Sequence, residues 1–230
     1  LGSWAGAMGH GQFMPSSVLA YAVDHDGDGR ADIWHKDPED GLASIANYLA
    51  KHGWRRGQNC VIRVTVPDVF DHSLTGLDQS APANTWQERG ITMPDGTPPV
   101  DYGKASLIQP AGHKGPALLA FNNFRTLLRY NNAVFYALAV STLASQISGS
   151  KALRIDWPND RPLTRTEIKA LQSGLSGAGY DAGSPDGLMG PDTLRAIRAY
   201  QIARNLPADG FPSKDLLVHL ARNTLGSARG

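Results

Sequence analysis

The sequence predicts a mainly α-helical protein with some β structure (α+β), arranged as one larger domain over 1–148 and a small three-helix bundle over 163–225. Three observations carry this expectation. Apolar residues recur at helical spacing before residue 53 and again between 120 and 148. One segment, "VIRVTV" (61–66), alternates and is rich in β-branched side chains, as a strand should be. A polar stretch with prolines at 149–162 has little periodicity and suits a linker, and a compact module follows it.

In chain order, "PSSVLAYAV" (15–23) predicts a short helix capped by Ser16 or Ser17. In "DPEDGLASIANYLAKHG", Leu42, Ile45, Ala46 and Leu49 fall on one helical stripe, and Gly53 is a natural C-terminal stop. Residues 67–116 are rich in Pro, Gly, Asp and Thr and are expected to be mostly loop with short elements. Over 120–148 a helical pattern returns, with Tyr136, Val140, Leu143 and Ile147 on one face. In the last module Thr164 and Glu167 form a T-x-x-E capping box, and Ile168, Leu171 and Leu175 line the helix it opens. "DGLMGPDTL" (186–194) and "DGFPSKDLL" (209–217) then match each other as a DG turn, four residues, and Asp at a helix start.

The segment "DHDGDGRADIW" (24–34) has the chemistry of a calcium loop. Calcium takes six to eight oxygen ligands, and Asp24, Asp26 and Asp28 stand at loop positions 1, 3 and 5. Gly29 occupies position 6, where the chain turns sharply, and Arg30 at position 7 would offer its backbone carbonyl. Position 12, ordinarily a bidentate Glu, is His35, so a closing carboxylate must come from Asp32, Asp37, Glu39 or Asp40. The alternative is an acidic turn without metal. A sensor would carry paired loops and a Met-rich groove; here there is one loop and four Met, which favours a structural ion.

Bulk properties remove other classes. A net charge of +1 argues against nucleic acid as a partner, and no apolar stretch is long enough to span a bilayer. No CxxC, HExxH or phosphate-binding glycine loop appears, the seven His are scattered, and no organic cofactor is expected. Cys60, the sole cysteine, reads as a small buried hydrophobe. "LGSWAGAMGHGQ" lacks an initiator Met and the regions of a signal peptide, and reads as the interior of a domain, so a fragment or processed product is expected.

Four blocks, "GSWAGAMGHGQFMPSS" (2–17), the acidic loop, "LASIANYLAKHGW" (42–54) and "NNFRTLLRYNNAVFYALAV" (122–140), together resemble the lytic transglycosylase B family of peptidoglycan-cleaving enzymes. The block "LQSGLSGAGYDAGSPDGLMGPDTLRAIRAYQ" is similar to a three-helix peptidoglycan-binding domain. The first resemblance implies a lysozyme-like fold, here incomplete on its N-terminal side, with an EF-hand-like calcium loop over 24–40. It implies one structural calcium held by Asp24, Asp26, Asp28, the Arg30 carbonyl and Asp40, with Asp37 the fallback for the last ligand. It also implies non-hydrolytic cleavage between N-acetylmuramic acid and N-acetylglucosamine, leaving a 1,6-anhydro end, by a single carboxyl with a raised pKa.

The family's acid is a Glu. This chain has Glu39, Glu88 and Glu167, and none stands in the family's context for it; the resemblance places that residue upstream of residue 1. Ser3, Gln12, Tyr48, Tyr130, Asn131 and Tyr136 are the candidate substrate-binding residues. Each also has a structural reading, as a turn polar group or a core-edge aromatic, and His10 is the better turn residue. In the last module Arg195, Tyr200 and Gln201 are the candidate wall-binding residues. Asp186 and Gly187 serve equally well as turn builders. A non-catalytic wall-binding protein and a hydrolytic muramidase are the competing functions. Peptidoglycan glycan strands are the expected partner, with the acid-bearing segment of the domain as another, and a monomer in the periplasm is expected, its outer-membrane anchoring left open.

Overall fold

The computed structural model describes residues 2–149, 157–159 and 161–227, so most of the linker expected at 149–162 lies outside the described residues. The described chain is mainly α, with a small antiparallel sheet. It divides into two compact units: residues 2–60 with 122–140, and residues 61–121 with those from 141 onward.

The first unit is built on helices α1 (Pro15–Tyr21), α2 (Glu39–Lys51) and α4 (Asn122–Tyr130), with the start of α5 (Val134–Ile147). Helix α1 starts on Pro15 with Met14 at its N-cap, so neither Ser16 nor Ser17 caps it. Proline has its φ preset for the first helical position, where its missing N–H costs nothing. Helix α2 stops at His52, and the Gly53 N–H returns to the Ala50 carbonyl.

The buried face of α2 is not the stripe expected from Leu42, Ile45, Ala46 and Leu49. Leu42 is 60% exposed, and the buried positions are Asp40, Gly41 and Ser44. The reason is polar. The Ser44 hydroxyl accepts from the Val23 N–H at 2.9 Å, and Asp40 accepts from backbone N–H groups of the acidic loop. A loop without a ladder must find such acceptors, and α2 turns its polar edge inward to supply them. Helix α4 does the same. Asn123, fully buried, accepts from the Arg55 N–H at 2.7 Å and donates to the Arg55 and Gln58 carbonyls at 2.8 Å each.

The single helical pattern expected over 120–148 is two helices, broken at 131–133, and its face is also different. Tyr136, Leu143 and Ile147 are exposed, while Ala137, Leu138 and Ser141 are buried. Helix α5 is apolar on most sides, so its periodicity carries little information about which side is covered.

In the second unit, "VIRVTV" is not the sole strand. Strands β1 (Val61–Val64), β2 (Ala81–Pro82), β3 (Lys104–Ile108) and β4 (Ala117–Ala120) form an antiparallel sheet in the order β1-β4-β3-β2, with Val61 opposite Ala120 and Ser106 opposite Ala120 on the other side. Pro82 sits on an edge strand, where no ladder donor is needed. Alternate residues Ile62, Val64, Ala105, Leu107, Ala117, Leu119 and Phe121 share a core with Trp86 of α3 (Ala83–Glu88), whose indole N–H donates to the Ala105 carbonyl at 3.0 Å.

The bundle is α6 (Arg165–Gly177), α7 (Pro191–Ala203) and α8 (Lys214–Ser227), packed around Leu171, Leu175, Ile197, Tyr200, Leu216 and Leu220. Its capping box is complete: the Thr164 hydroxyl accepts from the Glu167 N–H, and the Glu167 carboxylate accepts from the Thr164 N–H. Arg161 pairs with the same carboxylate at 2.7 Å, and these bonds hold Glu167 well below the usual carboxylate range.

Candidate active-site cleft and metal loop

The glycine-rich segment folds into a tight hairpin. Met8 and Phe13 exchange backbone hydrogen bonds at 2.8 Å, and Gln12 stands near the tip with φ 50°. The Gln12 side-chain amide donates to the Gly9 carbonyl at 3.0 Å, which fixes the exposed amide in place. Ser3 belongs to a separate turn, in which its hydroxyl accepts from the Ala7 N–H at 3.1 Å. His10 bonds the His35 carbonyl through Nε2 at 2.8 Å and lies against Gly41, joining the hairpin to the acidic loop and to α2.

Under the hairpin lies an aromatic floor. Phe13, buried, sits 5.8 Å from the rings of both Tyr48 and Tyr130, which meet edge-on at 5.2 Å. Tyr48 also stacks on His52 at 4.0 Å and takes the edge of Tyr21 at 4.9 Å. The Tyr130 hydroxyl donates to the Gly11 carbonyl, one residue from Gln12, and the Tyr48 hydroxyl donates to the Arg129 carbonyl at 3.0 Å. Burial pushes the Tyr130 phenol up to about 12 and the Tyr48 phenol upward as well, so both stay protonated donors at neutral pH. Tyr136 raises the Tyr130 phenol too, less than burial does; it is exposed in the first turn of α5, and Asn131 is exposed in the 131–133 break before that helix. The structure thus brings Gln12, Tyr48 and Tyr130 together, through Phe13 and the Gly11 carbonyl.

In the acidic loop, carboxylate oxygens of Asp24, Asp26 and Asp28 lie within 4.8 Å of one another. Loop amides organise them: Asp24 accepts from the Gly27 and Gly29 N–H groups at 2.7 and 3.0 Å, and Asp28 accepts from the Arg30 N–H at 2.8 Å. Gly29 takes φ 88°, a conformation suited to glycine. Three converging carboxylates repel one another, and a hard divalent cation with oxygen ligands is the partner that suits them. Asp40 reaches the loop by a different route. It is 5% exposed, and its oxygens accept from His25 at 2.7 Å and from Asp32 at 3.0 Å, bonds that draw its carboxyl below the usual range, the His25 amide most of all. It braces the loop backbone and is not among the three clustered carboxylates.

Two expected wall-binding residues are interior. Tyr200 is fully buried in the bundle core, its hydroxyl 3.0 Å from His219 Nδ1. Gln201 is 5% exposed and spends its amide on Asp209 and the Gly210 N–H. Both lie on the inner face of α7, whereas Arg195 is exposed and pairs with Asp192. Asp186 and Gly187 build the first DG turn, held by Gln172.

Residues 1–145 match the transglycosylase SLT domain, well over half of the chain. The chain belongs to that family. Residues 164–220 match a peptidoglycan binding domain. The membrane-bound lytic murein transglycosylase B of Escherichia coli (strain K12) is 37% identical over 153 residues, 64% of this chain and 39% of that protein. The crystal structure of SltB3 from Pseudomonas aeruginosa in complex with NAG-anhNAM-pentapeptide is similar with a TM-score of 0.88 at 46% identity, covering 96% of this chain and 60% of that one. The Escherichia coli lytic transglycosylase Slt35 in complex with calcium is similar with a TM-score of 0.53 at 35% identity, over 64% of this chain and 46% of that one. The chain therefore spans between about two fifths and three fifths of the length of these relatives.

Sequence reasoning did not single out Phe13, Tyr21 and His52, which complete the aromatic floor. No period marks them, because they come from a hairpin, a short helix and a helix cap. Replacing Tyr130 by Phe removes the bond to Gly11 and nothing else, and should lower stability by about 1 kcal/mol. Urea unfolding of the two proteins side by side checks this.

Proposed function

We propose that this chain carries much of the glycan-binding cleft, and the wall-binding module, of a lytic transglycosylase that cleaves peptidoglycan without water. The observation that carries this is the Gln12 hairpin seated on Phe13, Tyr48 and Tyr130 within a transglycosylase SLT domain. An exposed amide beside aromatic rings suits a sugar, whose hydroxyl and acetamido groups need hydrogen-bond partners and whose C–H faces need flat apolar ones. The relative solved with an anhydro-sugar pentapeptide supports the substrate class.

The reaction needs one proton donor. A carboxylic acid protonates the glycosidic oxygen as the C1–O bond breaks, and the muramoyl C6 hydroxyl closes on C1 while its proton returns to the carboxylate. Glu167 is unsuited, being held ionised by Arg161 and Thr164. Glu39 opens α2 beside the acidic loop, and Glu88 ends α3 in the second unit. We infer that the donor is a Glu on a part of the domain outside these 230 residues. A periplasmic location follows from the substrate; among the described residues no helix is long and apolar enough to cross a membrane.

Calcium is the proposed ion for Asp24, Asp26 and Asp28, with the Arg30 carbonyl as a further ligand and Asp40 bracing the loop behind them. The complex of Slt35 with calcium supports it. When bound, the ion would neutralise the carboxylates and tie the loop down.

Two experiments follow. Digestion of purified sacculi by the protein joined to its acid-bearing segment should release anhydro-muramoyl ends by mass spectrometry; reducing ends would indicate a muramidase, and binding without any cleavage a wall-binding protein. Addition of a chelator should lower the melting temperature, and calcium at 100-fold its Kd should restore about 2.7 kcal/mol; in Asp24→Asn the response to calcium should be greatly weakened.

A further inference from the structure

The two DG turns of the bundle are built alike. In the first, Gln172 accepts from the Gly187 N–H at 2.9 Å and donates to Asp186, which accepts from the Leu188 N–H at 2.8 Å. In the second, Gln201 accepts from the Gly210 N–H at 2.8 Å and donates to Asp209, which accepts from the Phe211 N–H at 2.9 Å. Each clamp is a buried Gln on one helix holding an Asp-Gly pair ahead of the next.

Their surroundings differ. Beyond the first turn Leu188 is 60% exposed. The second turn is covered by the 109–115 turn that joins β3 to β4. There the Asp209 side chain is 3% exposed, and its second oxygen accepts both the His113 N–H and the His113 Nδ1, each at 2.8 Å. Lys114 adds an ion pair to Asp215 at 2.7 Å. The backbones approach closely: a Cβ built on Gly112 would lie 2.9 Å from the Phe211 ring and 3.1 Å from Asp209. Arg198 of α7, which donates to the Asp209 carbonyl, lies against Gly76 of the same sheet-bearing segment.

We propose that the second of these two clamps is a docking turn that seats the bundle on the β3–β4 turn. Asp209 is the centre of the dock. A buried carboxylate needs its oxygens satisfied, and only docking gives the second oxygen its two donors. The bundle and the sheet therefore move as one body rather than as modules on a tether. This does not depend on the functional reading above.

The test is amide hydrogen exchange at residue 113. The wild type should protect that amide. The double variant His113→Ala, Lys114→Glu keeps the amide but loses the imidazole contact and reverses the ion pair, and its protection should fall roughly tenfold or more. Protection inside α7 should stay unchanged, which separates undocking from unfolding. Restoring the pair in Lys114→Glu, Asp215→Lys should recover protection relative to Lys114→Glu alone. An amide at 113 that exchanges freely in the wild type, or that is indifferent to both variants, would overturn the proposal.

Discussion

Irregular backbone that must be hydrogen-bonded is the constraint on which the first unit depends. Residues 2–14, 22–38 and 52–60 lie outside the helices and strands, with few ladder bonds of their own. Each unpaired N–H or C=O kept from water costs about as much as a lost hydrogen bond. The helices meet the demand with polar side chains: Asp40 and Ser44 of α2 serve 22–38, and Asn123 and Thr126 of α4 serve 52–60. Tyr130, at the end of α4, does the same for the Gly11 carbonyl in the hairpin.

This arrangement ties the Gln12 hairpin to the acidic loop. The hairpin rests on the aromatic floor at one end and is tied to the acidic loop at the other, through His10 to the His35 carbonyl and the His10 N–H to the Ile33 carbonyl at 3.0 Å. An ion that fixes the acidic loop therefore also fixes the carbonyls on which the hairpin hangs.

What was legible in the sequence follows the same division. The bundle was readable because its signals are local: the Thr164–Glu167 box, the DG turns and Leu171 and Leu175 at helical spacing all act within a few residues. The Asp24, Asp26 and Asp28 cluster was readable because one loop carries it. The faces of α2 and α5 were not. Apolar periodicity points Leu42 inward, yet the loop's need for acceptors buries Asp40 and Ser44 instead. Strand β4 was missed because "ALLA" is buried on both faces and has no alternation to display. Tyr200 and Gln201 looked like ligand contacts by residue type, and only tertiary packing shows them turned inward.

The most direct measurement is the unfolding free energy of Asn123→Ala. The side chain makes three hydrogen bonds to the 55–58 backbone and has no exposed surface. If polar props on the helices hold the irregular segments, the loss should be about 2–3 kcal/mol, with the Arg55 amide exchanging far faster than in the wild type. A loss under about 0.5 kcal/mol, with the Arg55 amide still protected, would contradict the account.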